Sequence, residues 1–431
     1  MNKEHTLTEQ TSGTDTLAQR WLALKKEDAS IRIRNAAQKL GCSELELLAL
    51  HTGEHVVRLQ GDFKKLLTQI ESLGEVMALT RNDAMVHEKT GQYKGLTLHG
   101  HMGLALGEID LRIFFNQFVY GYAVCEESLA GMRRSLQFFN ADGVAVHKIY
   151  LREHSDLQAY QQLVDSYRAD DQSAPHISTA TESADDNKLM ALPQDADIET
   201  LQKGWRELKD VHHFQALLKK HQIERIPAYQ AVDDDLARPL HSSAFEAALT
   251  LAAELQLSIM IFVGSPGVVQ IFTGQLDNLK RTGPWFNVLD PGFNLHADTT
   301  QIAHLWVVRK PTVDGIVTSL EMFDDKGQQL ALLFGERKNG DSEQAAGPDR
   351  EPGRSLVGRG QVALDHGLVG RVGNDVVEER SEDHHEQHRL GQVEARIDQS
   401  ELVVCGGGFD EPPGTTVAPS RGRDRRASSS S

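Results

Sequence analysis

Two adjacent histidines, His212 and His213, are the residues of this chain best placed to ligate a metal. They stand in WRELKDVHHFQALLKKH, residues 205–221, after a good helix-capping residue and before an apolar pattern at helical spacing. With Asp210 as N-cap, a helix is expected from Val211, burying Phe214, Leu217 and Leu218. Both imidazoles then lie in the first turn, where backbone N–H groups point outward and the positive dipole end disfavours imidazolium. A neutral imidazole on an exposed first turn suits iron as a ligand. The competing reading is a pair of ordinary surface histidines on an amphipathic helix.

A second set of residues appears when strands are read by parity. In EIDLRIFF, residues 108–115, Ile109, Leu111, Ile113 and Phe115 form an apolar face, while Arg112 and Phe114 share the other. A cation beside an aromatic can line a pocket for a planar anionic ligand; the alternative is a solvent-facing arginine packed across its neighbour. In residues 306–311, Lys310 shares a face with Trp306 and Val308, and Arg337 closes the last strand after Leu332 and Phe334. Lys310 and Arg337 are therefore candidates to bind carboxylates, with Phe262, Phe334 and Phe114 as apolar walls. Other groupings carry less. His99 and His101 are expected on one face of a strand in a structural role. The cluster His384, His385 and His388 reads as a solvated polar run. Residues 262–267 end a strand in a tight turn without a phosphate-loop pattern, and the sequence has no HExxH, nucleophile elbow or Walker motif.

The elements that must position these residues fall into an α+β order. Residues 17–50 have helical spacing through Trp21, Leu24, Ile31, Ala36 and Leu40. Gly41 closes one helix, and Ser43 with Glu46 opens the next as a capping box. A short helix over 62–73 follows, then a run of strands to about 153 that reads as an antiparallel sheet, with a turn at Asp142-Gly143. Residues 150–167 return to a helical pattern. The second half repeats the first. Trp21-x-x-Leu24-Lys25 recurs as Trp205-x-x-Leu208-Lys209, Thr90-Gly91-Gln92 as Thr273-Gly274-Gln275, and Phe139 through Gly143 as Phe323 through Gly327. The offsets are 184, 183 and 184. A near-constant offset across helix, strand and turn predicts a tandem duplication of a helices-then-antiparallel-sheet unit, with pseudo-symmetric halves and a ligand cleft between them. The expected divisions are a first repeat over 1–168, a linker over 169–199 rich in Ser, Ala, Thr, Asp and Gln, and a second repeat over 200–338. The tail 339–431 has no Lys, Trp, Tyr or Met and reads as disordered or frame-shifted sequence.

Composition narrows the partners. A formal net charge of -17 argues against nucleic acid or an anionic membrane surface. The three cysteines, Cys42, Cys125 and Cys405, have no CxxC spacing, which suits a reducing cytoplasm and gives no disulfide framework. The polar N-terminus has no apolar signal-peptide core, and no window reaches membrane-spanning length, so neither secretion nor membrane insertion is expected.

WRELKDVHHF, NVLDPGFNLH, WVVRKPT-x-DGIVTSLE and EIDLRIFFN together resemble the bacterial haemin-degrading and haemin-transport family of HemS/ChuS type. The likeness runs from about Leu17 to Lys338. It implies a cytoplasmic protein of two structural repeats that binds one haem, either degrading it oxidatively to release iron or carrying it to a separate haem oxygenase. By position it places the axial ligand at His212, with His213 as alternate, and sets Arg112 on the opposite haem face as the catalytic candidate. It puts Phe114 beside that arginine, and Lys310 and Arg337 near the propionates. Implied partners are haem, an inner-membrane haem transporter, and a reductase or downstream oxygenase. The sequence departs from the family where Phe334 replaces a tyrosine and Leu332 a polar residue of some relatives, and where a closing segment with a Trp-Arg pair is absent.

Overall fold

The computed structural model describes residues 16–128, 131–175, 177, 190–313 and 315–336. Its first half begins with helices α1 (Leu17–Glu27), α2 (Ile33–Leu40) and α3 (Glu44–Ala49), strand β1 (Val56–Leu59) and helix α4 (Phe63–Thr68). Strands β2 (Glu75–Arg81), β3 (Met85–Gln92), β4 (Thr97–His99), β5 (Met102–Ala105) and β6 (Asp110–Phe114) follow. This half closes with β7 (Tyr120–Ser128), β8 (Gly131–Phe139), β9 (Ala145–Leu151) and helix α5 (Leu157–Tyr167). The second half opens with α6 (Ile198–Arg206), α7 (His213–Lys220), α8 (Arg225–Ala231), β10 (Ala237–Leu240) and α9 (Ala244–Glu254). It continues through β11 (Ile259–Gly264), β12 (Val268–Gly274), β13 (Leu279–Thr282), β14 (Trp285–Asp290) and β15 (Phe293–Asp298). Strands β16 (His304–Thr312), β17 (Gly315–Phe323) and β18 (Gln329–Gly335) end it. Each strand has its counterpart nine strands later, so the duplication expected from the 183–184 residue offset is present as α+β structure.

The two halves interlock. The first sheet has the order β1-β7-β8-β9-β2-β3-β15-β14-β13, and the second β10-β16-β17-β18-β11-β12-β6-β5-β4. Each sheet thus takes six strands from one half and three from the other, joined antiparallel at β3–β15 and β12–β6. Each half nevertheless supplies most of one apolar core. Leu66, Ile70, Leu111, Ile113, Phe138 and Ile149 anchor one, and Phe245, Leu249, Ile261, Val263, Leu295 and Leu320 the other. Side-chain hydrogen bonds also cross the inter-half seam, at Asn82, Ser265, Asn294 and Gln270. Gln270 of β12 accepts from Thr80 Oγ1 (2.7 Å) and donates to Ala78 O (2.9 Å) on β2.

Local chemistry explains the helix ends that the sequence predicts. Gly41 takes φ +65° at the end of α2, a left-handed conformation that glycine adopts without strain. Ser43 and Glu46 form the capping box of α3. Three expectations need correction. The α7 helix begins at His213 with His212 as its N-cap, not at Val211 with Asp210 as cap. Residues 210–213 form a tighter turn instead, with the His213 N–H on Asp210 O and the Phe214 N–H on Val211 O. His99 and His101 do not share a strand, because Gly100, at φ +63°, turns the chain between β4 and β5. The helix expected from 150 begins at Leu157, capped by Asp156, while 150–151 complete β9. Arg337, the histidines 384, 385 and 388, and the tail from 339 lie outside the described residues.

Candidate ligand-binding face

The strand registers place the candidate residues on one face of the second sheet. Directly paired residues of antiparallel strands point to the same side. One row runs Trp306–Glu321–Leu332–Phe262–Ile271–Asp110, and its neighbour carries Val308–Ser319–Phe334–Met260–Thr273. Gly264, Val269, Arg112 and Leu104 form a further row, with Phe114 opposite Met102 beyond it. Lys310, two residues along β16 from Val308, shares this side. Ile109, Leu111 and Ile113 point the other way into the core, as the alternation of 108–115 requires.

The face has two regions. Over β10, β16 and β17 it is covered by α6–α8, whose Trp205, Phe214, Leu218 and Tyr229 pack on Trp306, Val308 and Phe323. Over β18, β11 and β6 it is half-exposed: Met260, Phe262, Leu332, Phe334, Arg112 and Phe114 all remain partly accessible. Phe262 and Phe334 meet edge to face with centroids 5.0 Å apart. Gly264 adds room, since a Cβ there would meet nothing within 4 Å. The result is an apolar shelf flanked by a cation. Recesses along α6 and beside β1 and β7 lie off this face.

Arg112 does not stand alone on the shelf. Its guanidinium is paired with Asp110, two residues earlier on the same side. Burial raises the Asp110 pKa, against the opposing pull of Arg112. Lys310, at the other end of the face, is five strand spacings away, roughly 24 Å between backbones. Its ammonium is buried under the Phe214 ring, 4.8 Å from the centroid, and bonds Glu321 at 2.7 Å. Burial alone would raise the Glu321 pKa, but Lys310 and Arg225 overturn this and hold it at about 2. Tyr229 Oη and Arg225 also donate to that carboxylate, at 2.6 and 3.0 Å. Lys310 is therefore committed to Glu321 in this structure.

His212 and His213 sit at the margin of the covered region. Val313 N–H, in the β16–β17 turn, donates to Lys209 O (3.3 Å) and ties the α6–α7 loop down, while Phe214 lies over Lys310. Both histidines are exposed, the His212 side chain to 88 %. The His212 ring is held by Asp210: the carboxylate accepts from the His212 backbone N–H at 2.8 Å and from Nδ1 at 2.6 Å. Those bonds, the backbone one foremost, lower the Asp210 pKa. An ionised carboxylate only accepts, so Nδ1 carries the proton of this bond and Nε2 is the nitrogen left for another partner. A metal-ligating histidine is usually oriented by such a carboxylate. The sequence marked Asp210 as a cap; its hold on the ring follows from the tighter turn.

The corresponding face of the first sheet is charged where the shelf is apolar. By register Leu332 answers to Lys148, Phe334 to Tyr150, Phe262 to Leu79, Gly264 to Arg81 and Arg112 to His296. Lys148 there is buried and paired with Glu44 of α3. Duplication supplied two sheet faces, and one of them carries charged side chains where the other is apolar. This asymmetry, like Asp110 and Glu321, was missed in the sequence, because it depends on which residues share a row.

Comparison with known proteins follows the same duplication. The model of the haemin-degrading HemS.ChuX domain matches residues 41–167 and again 222–346. The hemin transport protein HmuS of Yersinia pestis is 40% identical over 331 residues, covering 76% of this chain and 94% of that one. Among solved structures, holo-PhuS, a heme-binding protein from Pseudomonas aeruginosa, aligns with TM-score 0.69 at 43% identity, over 75% of this chain and 94% of its own. The heme degrading enzyme ChuS of Escherichia coli O157:H7 aligns with TM-score 0.70 at 36% identity, over 76% and 95%.

Proposed function

The chain belongs to the family of haemin-degrading HemS.ChuX domains, and from that premise we propose that it is a cytoplasmic haem-binding protein of a haem-uptake system, which opens the macrocycle oxidatively and releases iron. The observation that carries this reading is an exposed, carboxylate-oriented histidine on a loop tied to the β16–β17 turn of the sheet whose uncovered face is apolar. The donor set fits the group. A neutral imidazole nitrogen suits iron, half-exposed aromatic and aliphatic side chains suit the ring, and a guanidinium suits negative charge at its edge or face.

In this reading His212 ligates through Nε2, with His213 one residue along as the alternate ligand. Phe262, Phe334 and Phe114 line the ring. Asp210 keeps the proton on Nδ1 and so keeps Nε2 available. Arg112 presents N–H donors from across the shelf, where developing negative charge is stabilised. Lys310 and Arg337 are the proposed propionate contacts; for Lys310 this means parting from Glu321. Haem itself supplies the redox chemistry when bound. An inner-membrane transporter would deliver it and a reductase would supply electrons.

One observation favours a carrier that hands haem to a separate oxygenase. Arg112 already has Asp110 as counter-ion, and a neutralised arginine serves anchoring better than it serves an anionic reacting centre. Aerobic turnover of bound haem with a physiological reductant, in the presence of catalase, separates the two. Ring opening under those conditions supports the oxygenase; intact haem that passes only to an added oxygenase supports the carrier. Catalase is needed because free peroxide degrades bound haem without a cycle of the protein.

A further inference from the structure

Between α3 and β1, on the edge of the first sheet and away from the shelf, two imidazoles and a carboxylate converge. We propose that His51, Glu54 and His55 bind a borderline divalent cation of the Zn²⁺, Co²⁺ or Fe²⁺ class, at a site separate from the haem. His51 Nδ1 lies 3.6 Å and His55 Nδ1 3.8 Å from one Glu54 carboxylate oxygen. Both distances are too long for hydrogen bonds. The three donor atoms all fall within 4.8 Å of one another, and the two rings stand side by side at 4.9 Å. Metal–ligand bonds of about 2.0–2.2 Å put tetrahedral donors roughly 3.4 Å apart, so a modest side-chain rotation closes the site around an ion.

The backbone holds these side chains together before any ion arrives. His51 N–H donates to Leu48 O, Glu54 N–H to His51 O (3.2 Å) and Gly53 N–H to Val56 O (2.9 Å), with Gly53 at φ +93°. On the far side, Cys125 N–H of β7 donates to His55 O at 2.9 Å. A loop pinned at both ends loses little further entropy when its side chains close on a cation. Two nitrogen donors and one carboxylate select a borderline transition ion over Ca²⁺ or Mg²⁺, which take oxygen ligands. The side chains of His51, Glu54 and His55 are 34, 72 and 44 % exposed, so water completes the coordination and the ion exchanges with solvent.

The test uses the haem-free full-length chain with His212, His213, His384, His385 and His388 replaced by Ala, so that an ion held beside the shelf or by the tail is not counted. Co²⁺ is titrated and followed by its visible absorption, and Zn²⁺ is measured by competition with a chromophoric chelator. The proposal predicts one equivalent of either ion that the double variant His51→Ala/His55→Ala loses, with its far-UV circular dichroism unchanged. Glu54→Gln should weaken binding at least about tenfold, the low end of what losing even an outer-shell partner costs. Excess Mg²⁺ or Ca²⁺ should not compete. Unchanged stoichiometry and affinity in the double variant would overturn the site, and Zn²⁺ affinity unaltered by Glu54→Gln would overturn its donor set. Both readouts are independent of whether the shelf binds haem.

Discussion

Asp210 and Arg112 show how single residues divide the work of the shelf. Asp210 acts through the His212 ring, at 2.6 Å from Nδ1. Asp210→Asn removes the charged acceptor that fixes the tautomer, so haem affinity should fall about 10–100-fold, as for other partners that orient a ligand. An absorption titration checks this, and unchanged affinity would mean that the bond does not matter. Arg112 is expected to govern chemistry more than affinity. Arg112→Ala should leave haem binding within about tenfold, near 1.4 kcal/mol. If the protein is an oxygenase, the same change should slow ring opening by about 10²–10³. Single-turnover kinetics beside an equilibrium titration reads both numbers, and loss of binding with intact folding would make Arg112 an anchor instead. At this scale the sequence was informative where chemistry is local. The parity of 108–115 located Arg112 and Phe114 on one side, whereas Asp210 was read as a helix cap and its turn with the histidines was not foreseen. The pairing of Lys310 with Glu321 was invisible, because side chains eleven residues apart meet only through the β16–β17 register.

The elements differ in what they can lose. On β17, Glu321 is fully buried and bonded by Lys310, Arg225 and Tyr229. Glu321→Ala would strand the Lys310 and Arg225 charges beneath α7 and α8, which should cost about 3–5 kcal/mol in urea unfolding. A loss below about 1 kcal/mol would show that water enters and solvates those charges. On β18, Leu332 stands where the first sheet has Lys148, and the closing carboxylate Glu44 has no acidic counterpart there, since Arg225 opens α8. Leu332→Lys should therefore place a cation on the apolar shelf, opposite a Glu321 already bonded by Lys310, Arg225 and Tyr229, and weaken haem binding by at least about tenfold, or 1.4 kcal/mol. Affinity equal to the parent would move the site elsewhere. Helix and strand positions were readable because capping boxes, turn glycines and a period of two are written locally. The α7 start was misplaced because a 3₁₀-like turn at Asp210 competes with the α-helical pattern.

At the scale of the molecule, the repeat offset revealed two copies but not their interlocking, since nothing local tells β6 to pair with β12 rather than with its own half. The seam of that exchange carries a pH dependence. Tyr93 Oη donates to His147 Nε2, the Nδ1–H donates to Thr80 Oγ1, and Thr80 donates to Gln270. Burial holds His147 and His87 neutral down to about 3, below the ordinary 6.5. Between those values the unfolded chain binds protons that the folded chain refuses. Stability is therefore full above about pH 6.5 and falls on acidification by about 1.4 kcal/mol per pH unit for each histidine. Urea unfolding at pH 7 and pH 5 checks this above the range where carboxylates titrate; equal midpoints would contradict it. The same duplication bears on the central claim, that one shelf and one histidine hold one haem. The most direct measurement is a visible haem titration of the parent chain beside His212→Ala and His213→Ala. The account predicts saturation at one haem per chain, with a Soret band and affinity altered far more by His212→Ala than by His213→Ala. Two equivalents per chain, or a spectrum indifferent to His212→Ala, would contradict it.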